Sequence, residues 1–427
     1  MTQVEKNYRW NFSVNVMDVS FYTLAINIVS QATILPLLIS QLTPSKMVIG
    51  LVPAIYSLGF LLPQLLTASY TEQLKRKLPL LTVASGFGER GPYLLIAIFI
   101  LFFAKSAPGV ALAAILILIG VSSTTAGVLT PAWYDLIAKV IPIERRGVWS
   151  GTGFGLGAFM AIAGAALAGL VLERWSFPTN FAICFFIAFG FYMVSWLGLA
   201  LNREPDSEVT KAPVRFTVYL RQLPAIIRRD RNYQIYLISR SIANLGSMAS
   251  GFFIVFGAEK FGLAGAEVGW LTGTLVASQT LMNLLMGVLA DRSGHKIVLV
   301  LGAVGMGLSA LSALVAQGHL ALYPVFFFLG VALAAESVSS LNIILEFCAP
   351  EDRPTYIGLT NTLLAPTRAI APLVGGWLAT WLGYSPLFLA ALVLSVGGSW
   401  LLARWLREPR KVKIGLDLPL VDENRAI

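Results

Sequence analysis

Apolar stretches of about 20 residues recur along the whole chain, and most are separated by short polar connections. A helix needs about 20 mostly apolar residues to cross the hydrocarbon core of a bilayer. The stretches begin near Asn11, Met47, Leu78, Pro108, Gly147, Phe177, Tyr233, Glu267, Ile297, Leu320, Thr355 and Ser385. The pattern therefore predicts an all-α integral membrane protein with twelve transmembrane helices.

One connection, residues 202–232, is longer than the others and is polar and basic. It divides the predicted spans into an N-terminal six-helix bundle (1–201) and a C-terminal six-helix bundle (233–407), followed by a tail (408–427). Apolar residues recur at helical spacing within this linker, at Phe216, Tyr219, Leu220, Leu223, Ile226 and Ile227. Such a pattern among arginines favours an amphipathic helix on the inner membrane surface; a solvated, flexible linker is the alternative.

Composition supports a membrane location and gives the spans an orientation. Charged residues make up 12% of the chain and hydrophobic residues 56%, whereas soluble domains carry about 25% charged residues. Of the 31 lysines and arginines, 24 fall on the side of the N-terminus, four on the opposite side and three inside spans. The positive-inside rule then places both termini in the cytoplasm, and a plasma membrane is expected. The net charge of +9 is thereby an orientation signal, which argues against nucleic acid as a partner.

Enzyme and metal chemistry find little support in the sequence. The chain has two cysteines, Cys184 and Cys348, and two histidines, His295 and His319. These numbers exclude a disulfide framework and a multi-histidine metal site. The glycines of the stretch 151–157 lie in an apolar span, not in a strand–loop–helix phosphate site. We expect neither a catalytic site nor a cofactor.

The two halves repeat one another. The stretch P-I-E-R-R-G-V-W-S-G at 142–151 resembles P-E-D-R-P-T-Y-I-G at 350–358, about 208 residues later. Ala68, Glu72 and Lys77 are matched by Gly287, Asp291 and Lys296 at a constant offset of 219. Parallel repeats of this kind are typical of transporters that bind substrate near the midplane between two halves. The two bundles are therefore predicted to be pseudo-symmetric.

The segment G-V-L-A-D-R-S-G-H-K, residues 287–296, closes the eighth predicted span. It resembles the signature G-x-x-x-D-R-x-G-R-K of the major facilitator superfamily, with His295 at a usual arginine position. The first-half copy keeps Glu72 but lacks both glycines and the arginine. Together with the twelve spans and the repeat, the resemblance covers almost the whole chain and implies the fold of that superfamily.

The resemblance also implies a conformational latch, which would hold the halves together on the inner side in the outward-open state. Its predicted members are Gly287, Asp291, Arg292, Gly294 and Lys296, with Glu72 from the first half. Gly287 would allow close helix approach, and Asp291 would face the positive end of a helix dipole. An ordinary charged turn is the alternative.

A proline–glycine element of the antiporters is similar to residues 371–376, A-P-L-V-G-G. It stands in helix 11, whereas antiporters carry it in helix 5, and glycines also serve ordinary helix packing. The element therefore gives only weak support to antiport.

Charges inside the membrane are the main candidates for function, because each costs several kcal/mol unless it is paired or faces water. Glu336 is the predicted proton or substrate-cation site with Arg368 as its partner; a permanent structural pair is the alternative. Asp18 and Arg240 occupy similar places in the two halves and could pair as an inner gate, or each be stabilised locally. The resemblance places the third helix outside the cavity.

A structural role is expected for Glu89 and Arg90 on that third helix. Four polar or aromatic residues are expected to line the central cavity: Asn15, Gln31, Asn244 and Trp133. Hydrogen bonding between helices is the alternative for most of the polar ones.

The working hypothesis is a monomeric secondary active transporter that works by alternating access. It would export hydrophobic or amphipathic small molecules with proton coupling through Glu336 or Asp18. Its partners would be the small solute, protons and the lipid bilayer. Uptake of a sugar or other organic solute, or a non-transporting membrane factor on the same fold, are the alternatives.

Overall fold

The computed structural model describes residues 3–72, 74–142, 145–205, 227, 230–348 and 353–411. The helix predicted in the linker and most of the predicted tail lie outside these residues. Over the described ranges the regular structure is helical and contains no β-strand.

The N-terminal half makes six passes, two of them interrupted. The first pass breaks at residues 29–33, and the third contains a π-helical turn, Ser85–Arg90. The helices are α1 (Gln3–Ile28), α2 (Ile34–Leu42), α3 (Lys46–Glu72), α4 (Leu78–Ala84), α5 (Gly91–Phe103), α6 (Pro108–Val140), α7 (Arg146–Arg174) and α8 (Thr179–Ala200).

The C-terminal half repeats this order. Its first pass is interrupted by the 3-10 turn Ser247–Ala249, at the place where α1 gives way to α2. The helices are α9 (Arg231–Gly246), α10 (Phe252–Phe261), α11 (Gly265–Ser293), α12 (His295–Leu314), α13 (Leu322–Ser339), α14 (Asn342–Leu345), α15 (Arg353–Trp381) and α16 (Tyr384–Arg404).

The described helices thus form twelve passes, as predicted, and ten of these are long and apolar enough to cross a membrane. The first and eleventh passes fall outside that set. Each contains a charged side chain near its middle, Asp18 in α1 and Arg368 in α15. Interior charges lower the hydropathy of a span but mark candidate functional positions.

The two halves meet along α3 with α15 and along α7 with α11. We call the end of the bundle that contains Gln3 and Arg404 the termini end, and the opposite end the distal end. At the distal end the backbones come close: a Cβ placed on Gly269 would lie 2.6 Å from the Cα of Gly169. Small residues permit such approach between membrane helices.

Polar contacts also join the halves at the distal end. The hydroxyl groups of Thr33 and Thr272 are 2.8 Å apart, and both residues are buried. Lys46 Nζ lies 3.2 Å from a carboxylate oxygen of Glu259 and 3.9 Å from the ring centroid of Tyr384. The distal end is therefore closed by both packing and polar contacts.

The hydrophobic core follows the same division. One cluster crosses between the halves, with Ile34 and Leu38 packing in the same core as Phe252 and Phe253. Toward the termini end the core separates. One cluster, which contains Leu136, belongs to the N-terminal half, and another, which contains Phe347, belongs to the C-terminal half. The halves are therefore joined at one end and packed separately at the other.

Candidate functional site: two charged triads and the cavities between the halves

The buried charges of the N-terminal half form one group, the N-half triad, which is Asp18, Glu89 and Arg90. Arg90 Nη2 lies 3.2 Å from Asp18 Oδ1, and Arg90 Nη1 lies 2.9 Å from Glu89 Oε2. Ser195 Oγ donates to Asp18 at 2.6 Å, and the Tyr22 hydroxyl donates to Glu89 at 3.0 Å. The triad has two carboxylates and one guanidinium, so its ionised form carries a net charge of −1.

The π-helical turn explains why Glu89 and Arg90 point inward. An extra residue in a turn rotates the following face of the helix, and such turns are frequent at functional sites. The Glu89 carbonyl accepts a hydrogen bond from Ser122 Oγ at 2.7 Å. The predicted pair of Glu89 with Arg90 is present and bonds neighbouring helices, and both residues also line a cavity.

That cavity, cavity I, has a volume of about 300 Å³ and lies within the N-terminal half. Asp18 and Trp133, which were predicted to face the central cavity between the halves, both line this cavity within the N-terminal half. The rings of Trp133 and Tyr134, which both line it, stand 5.1 Å apart and give one side an aromatic surface. Cavity I therefore combines an acidic cluster with an apolar, aromatic wall.

The buried charges of the C-terminal half form the C-half triad: Glu336, Arg240 and Arg368. One carboxylate oxygen of Glu336 accepts from Arg240 and the other from Arg368. The predicted pairing of Glu336 with Arg368 is present in the structure. One carboxylate and two guanidinium groups leave this triad a net charge of +1 when all three are ionised.

Of the two alternatives for Asp18 and Arg240, an inner gate or local stabilisation, the structure shows local stabilisation. Each of these residues has a partner in its own half, Arg90 for Asp18 and Glu336 for Arg240. A buried charge is stabilised by the nearest opposite charge that shares its dry surroundings. Asp18 and Arg240 therefore do not form a gate between the halves in this conformation.

Two further cavities involve the C-half triad. Cavity II, about 290 Å³, is lined by all three triad residues, by Asn244 and, from the N-terminal half, by Ser57. Cavity III, about 510 Å³, lies between the halves toward the termini end. Arg368 lines both cavities and so connects the charged one to the larger, apolar one.

Two predicted cavity residues lie elsewhere. Asn15 is buried against the end of α8, where its Nδ2 donates to Asn202 Oδ1 at 2.5 Å. Gln31 lies in the break between α1 and α2 and outside the three cavities. Helical spacing identified polar positions on α1, but it could not show that one of its faces packs against α8.

Among the described residues, the hydrogen bonds of the predicted latch segment 287–296 to other elements stay within the C-terminal half. A Cβ placed on Gly287 would meet nothing within 4 Å, so the predicted close approach is absent. Asp291 and Arg292 are exposed. Gly294 ends α11 with a φ of +96°, a conformation that favours glycine. The Glu72 side chain lies outside the described set.

A second repeated device, missed at the sequence level, lies beside this segment. R-E-P occurs after the sixth span at 203–205 and after the twelfth at 407–409. Glu204 accepts from the backbone of Lys77 and Leu78 at 2.8–2.9 Å, and Glu408 accepts from the backbone of Lys296 at 3.2 Å. The repeated tripeptide was the available signal. Its glutamate caps the start of the third pass of each half.

The two caps differ in strength, which gives a prediction. Glu204 also binds Lys139 at 3.1 Å and is almost fully buried. By contrast, burial and the neighbouring Glu346 raise the pKa of Glu408. Charged hydrogen bonds contribute about 1.5–3 kcal/mol, so Glu204→Ala should lower the free energy of unfolding by about 3 kcal/mol. Glu408→Ala should cost about 1 kcal/mol. Chemical unfolding in detergent measures both, and equal losses would contradict the assigned difference.

Comparison with known proteins relates the C-terminal half of this chain to a family. Residues 236–417 match the sequence model described as Major Facilitator Superfamily. Multidrug resistance protein D of Escherichia coli (strain K12) is 26% identical over 199 residues. The match covers 44% of this chain and 48% of that relative, so the chain spans about half the length of the curated relative it matches.

Solved structures extend the likeness to the fold of the whole chain. A mutant form of the nucleoside transporter NupG superposes with a TM-score of 0.72 at 14% identity, over 92% of this chain and 99% of that one. A D-xylose–proton symporter superposes with a TM-score of 0.69 at 12% identity, over 94% and 99%. The match over the C-terminal half, the twelve-pass fold and the duplicated halves agree. In the sequence of its C-terminal half this chain is similar to the major facilitator superfamily, and the whole chain has the fold of these solved structures.

Proposed function

We propose that this chain is a proton-coupled secondary active transporter that exports hydrophobic or amphipathic small molecules. It acts as a monomer in the plasma membrane with both termini in the cytoplasm. The observation that carries the proposal is the one-sided separation of the halves. They are joined by backbone and polar contacts at the distal end, and they enclose a cavity toward the termini end.

Alternating access would follow from this asymmetry. With the termini end in the cytoplasm, the structure corresponds to the inward-facing state. Rocking of the halves would separate Gly169 from Gly269 and bring the segment 287–296 against the other half. In this cycle the latch residues Asp291 and Arg292 act in the outward-facing state, which fits their exposure here.

The N-half triad is the proposed proton site. Asp18 and Glu89 share one guanidinium group, so uptake of one proton would bring the cluster to zero net charge. Protonation of one carboxylate weakens its attraction for Arg90 and leaves Arg90 paired with the other, so it can change the packing of α1 against the third pass. Glu336 is the less suitable carrier, because it already stands between two arginines.

Variants of the two triads test the proton assignment. In proteoliposomes, Asp18→Asn should reduce transport driven by a pH gradient at least about tenfold, while solute counterflow without a gradient continues. Glu336→Gln should impair both gradient-driven transport and counterflow, because it leaves two guanidinium groups without a carboxylate. Glu267→Gln, in an exposed helix cap at the distal end, is the matched control. Unchanged gradient dependence in Asp18→Asn would overturn the assignment.

Uptake of an organic solute is the second candidate, and one observation favours it. The two triads have opposite net charges, so a proton and an anion could load them together. Proton and solute would then move in the same direction, whereas export requires that they exchange. The direction in which protons move during solute entry distinguishes export by exchange from uptake together with a proton.

A further inference from the structure

Two residues that line cavity II each carry a buried hydrogen-bond donor with no acceptor among the described residues. The donors are Arg240 Nε and Asn244 Nδ2. The two residues stand one turn apart on α9, and their relative exposures are 5% and 9%. A buried donor without an acceptor costs about 1–3 kcal/mol, so two of them on one cavity wall indicate a place for acceptor oxygens. Glu336 does not supply these in the structure, where its two oxygens accept from Arg240 Nη2 and Arg368 Nη2.

The local charge also favours an acceptor that is an anion. The C-half triad carries +1, and all three of its members line cavity II. Arg368 is the most accessible cation of the triad, with 29% of its side chain exposed against 6% for Arg240. A guanidinium group has five N–H donors, so donors remain after the bond to Glu336. A single carboxylate would bring the site to zero net charge, whereas a polyanion would leave it negative.

Cavity III defines the rest of the ligand. It begins at Arg368 and is lined mainly by apolar and aromatic side chains from both halves, including Phe60, Leu341 and Ile344. Its volume is about 510 Å³, compared with about 290 Å³ for cavity II. A ligand that fills both cavities would have one charged head and a larger apolar body.

We infer that the substrate is an amphipathic monocarboxylate. Its carboxylate binds Arg368, Arg240 Nε and Asn244 Nδ2 in cavity II, and its apolar body lies in cavity III. This inference rests on the proposed transport function and deepens it, since it names the class of solute. Ser57, from the N-terminal half, lines the same cavity as these donors, so the bound head group would contact both halves.

Binding of a matched pair of probes tests the inference. Isothermal titration calorimetry would compare 4-phenylbutyrate with 4-phenylbutyramide, on the full chain in nanodiscs of zwitterionic lipid. The wild type should bind the carboxylate at least about tenfold more tightly than the amide, because charge-assisted hydrogen bonds are about twice as strong as neutral ones. Equal affinities for the two probes in the wild type would overturn the inference without any variant.

Substitutions then locate the head group. Arg368→Gln should abolish the preference for the carboxylate and leave binding of the amide unchanged, whereas Arg368→Lys should retain most of the preference. Asn244→Ala should weaken binding of the carboxylate a few-fold, by about one hydrogen bond. Arg404→Gln, which removes the same charge at an exposed position of α16, is the control. A preference for the carboxylate that survives Arg368→Gln would overturn the site.

Counterflow of neutral and cationic amphipaths in the same preparation tests the transport function separately from the substrate class. If these solutes are exchanged but 4-phenylbutyrate has no binding preference, the substrate class is wrong and the transport function stands. If no amphipath of any charge is exchanged by folded protein, the transport function fails, and the substrate class fails with it.

Discussion

Replacing Gly269 by valine should abolish transport. In the structure a Cβ at this position would lie 2.6 Å from Gly169 Cα and 3.0 Å from the Ala165 carbonyl oxygen. Both are backbone atoms, so neither can move aside as a flexible side chain could. Overpacking of this kind costs about 1–3 kcal/mol, and the cost applies only to the state in which the distal end is closed. The equilibrium should shift away from that state by about 5- to 150-fold.

The consequence for transport follows from alternating access. A transporter held with its distal end open cannot complete the cycle, so solute exchange in proteoliposomes should fall at least about tenfold. The matched control is Gly273→Val, one turn further along α11, where an added Cβ would meet nothing within 4 Å. It should retain transport.

Accessibility of the distal end provides the structural readout. Thr33 is fully buried beside Thr272 in the closed distal end, and both native cysteines are buried. Thr33→Cys should therefore react slowly with a membrane-impermeant thiol reagent in the wild-type background and quickly in combination with Gly269→Val. Equal reaction rates of Thr33→Cys in the two backgrounds, together with retained transport by Gly269→Val, would contradict closure of the halves at Gly169 and Gly269.

Replacing Arg90 by glutamine should produce the largest loss of stability. Its side chain is 4% exposed and is the cation shared by Asp18 and Glu89. Removing one partner of a buried ion pair costs about 3–5 kcal/mol, because the remaining charge is left buried without compensation. Here two carboxylates would remain together. The free energy of unfolding in detergent, measured by chemical denaturation, should fall by that amount.

Two further variants separate the charge effect from a packing effect. Adding Asp18→Asn to Arg90→Gln removes one of the two uncompensated carboxylates, so the double variant should be more stable than Arg90→Gln alone. Arg174→Gln changes an exposed arginine at the end of α7 and should alter stability by less than about 0.5 kcal/mol. If Arg90→Gln costs no more than Arg174→Gln, the N-half triad does not stabilise the fold.

The sequence predicted the fold well because the relevant signals are long and redundant. A span of about 20 apolar residues is hard to mistake, and the repeated segments at 72–77 and 291–296 fix the relation between the halves. The buried charges were also identified, since any charge within such a span stands out. The ion pair of Glu336 with Arg368 could be anticipated because the two residues lie on consecutive passes.

Other features depend on the rotation of individual helices, which the sequence does not specify. The π-helical turn at Ser85–Arg90 directs Glu89 and Arg90 into cavity I, and no local pattern of S-G-F-G-E-R announces it. The similar places of Asp18 and Arg240 in the duplicated sequence left two alternatives, a pair between the halves or local stabilisation, and the structure shows a local partner for each. The repeat R-E-P at 203 and 407 was visible in the sequence, yet its capping role needed the structure.

The contacts at Gly287 illustrate a different limit, because they depend on conformation. Latch residues that join the two halves in one state of the cycle must separate in another state. The structure has the distal end closed, and Gly287 has no neighbour that a side chain would meet. A sequence motif can indicate that two surfaces meet during the cycle, but a single conformation shows them either in contact or apart.

The proton movement that accompanies solute entry tests the proposed function most directly. Wild-type protein in proteoliposomes that hold a pH-sensitive dye would receive an external pulse of a permanently charged amphipathic solute, with Asp18→Asn proteoliposomes as the control for passive leak. Export by exchange predicts that solute entering the lumen drives protons out, so the lumen becomes alkaline in the wild type and not in Asp18→Asn. Acidification of the lumen, or no change in pH while solute enters, would contradict proton-coupled export.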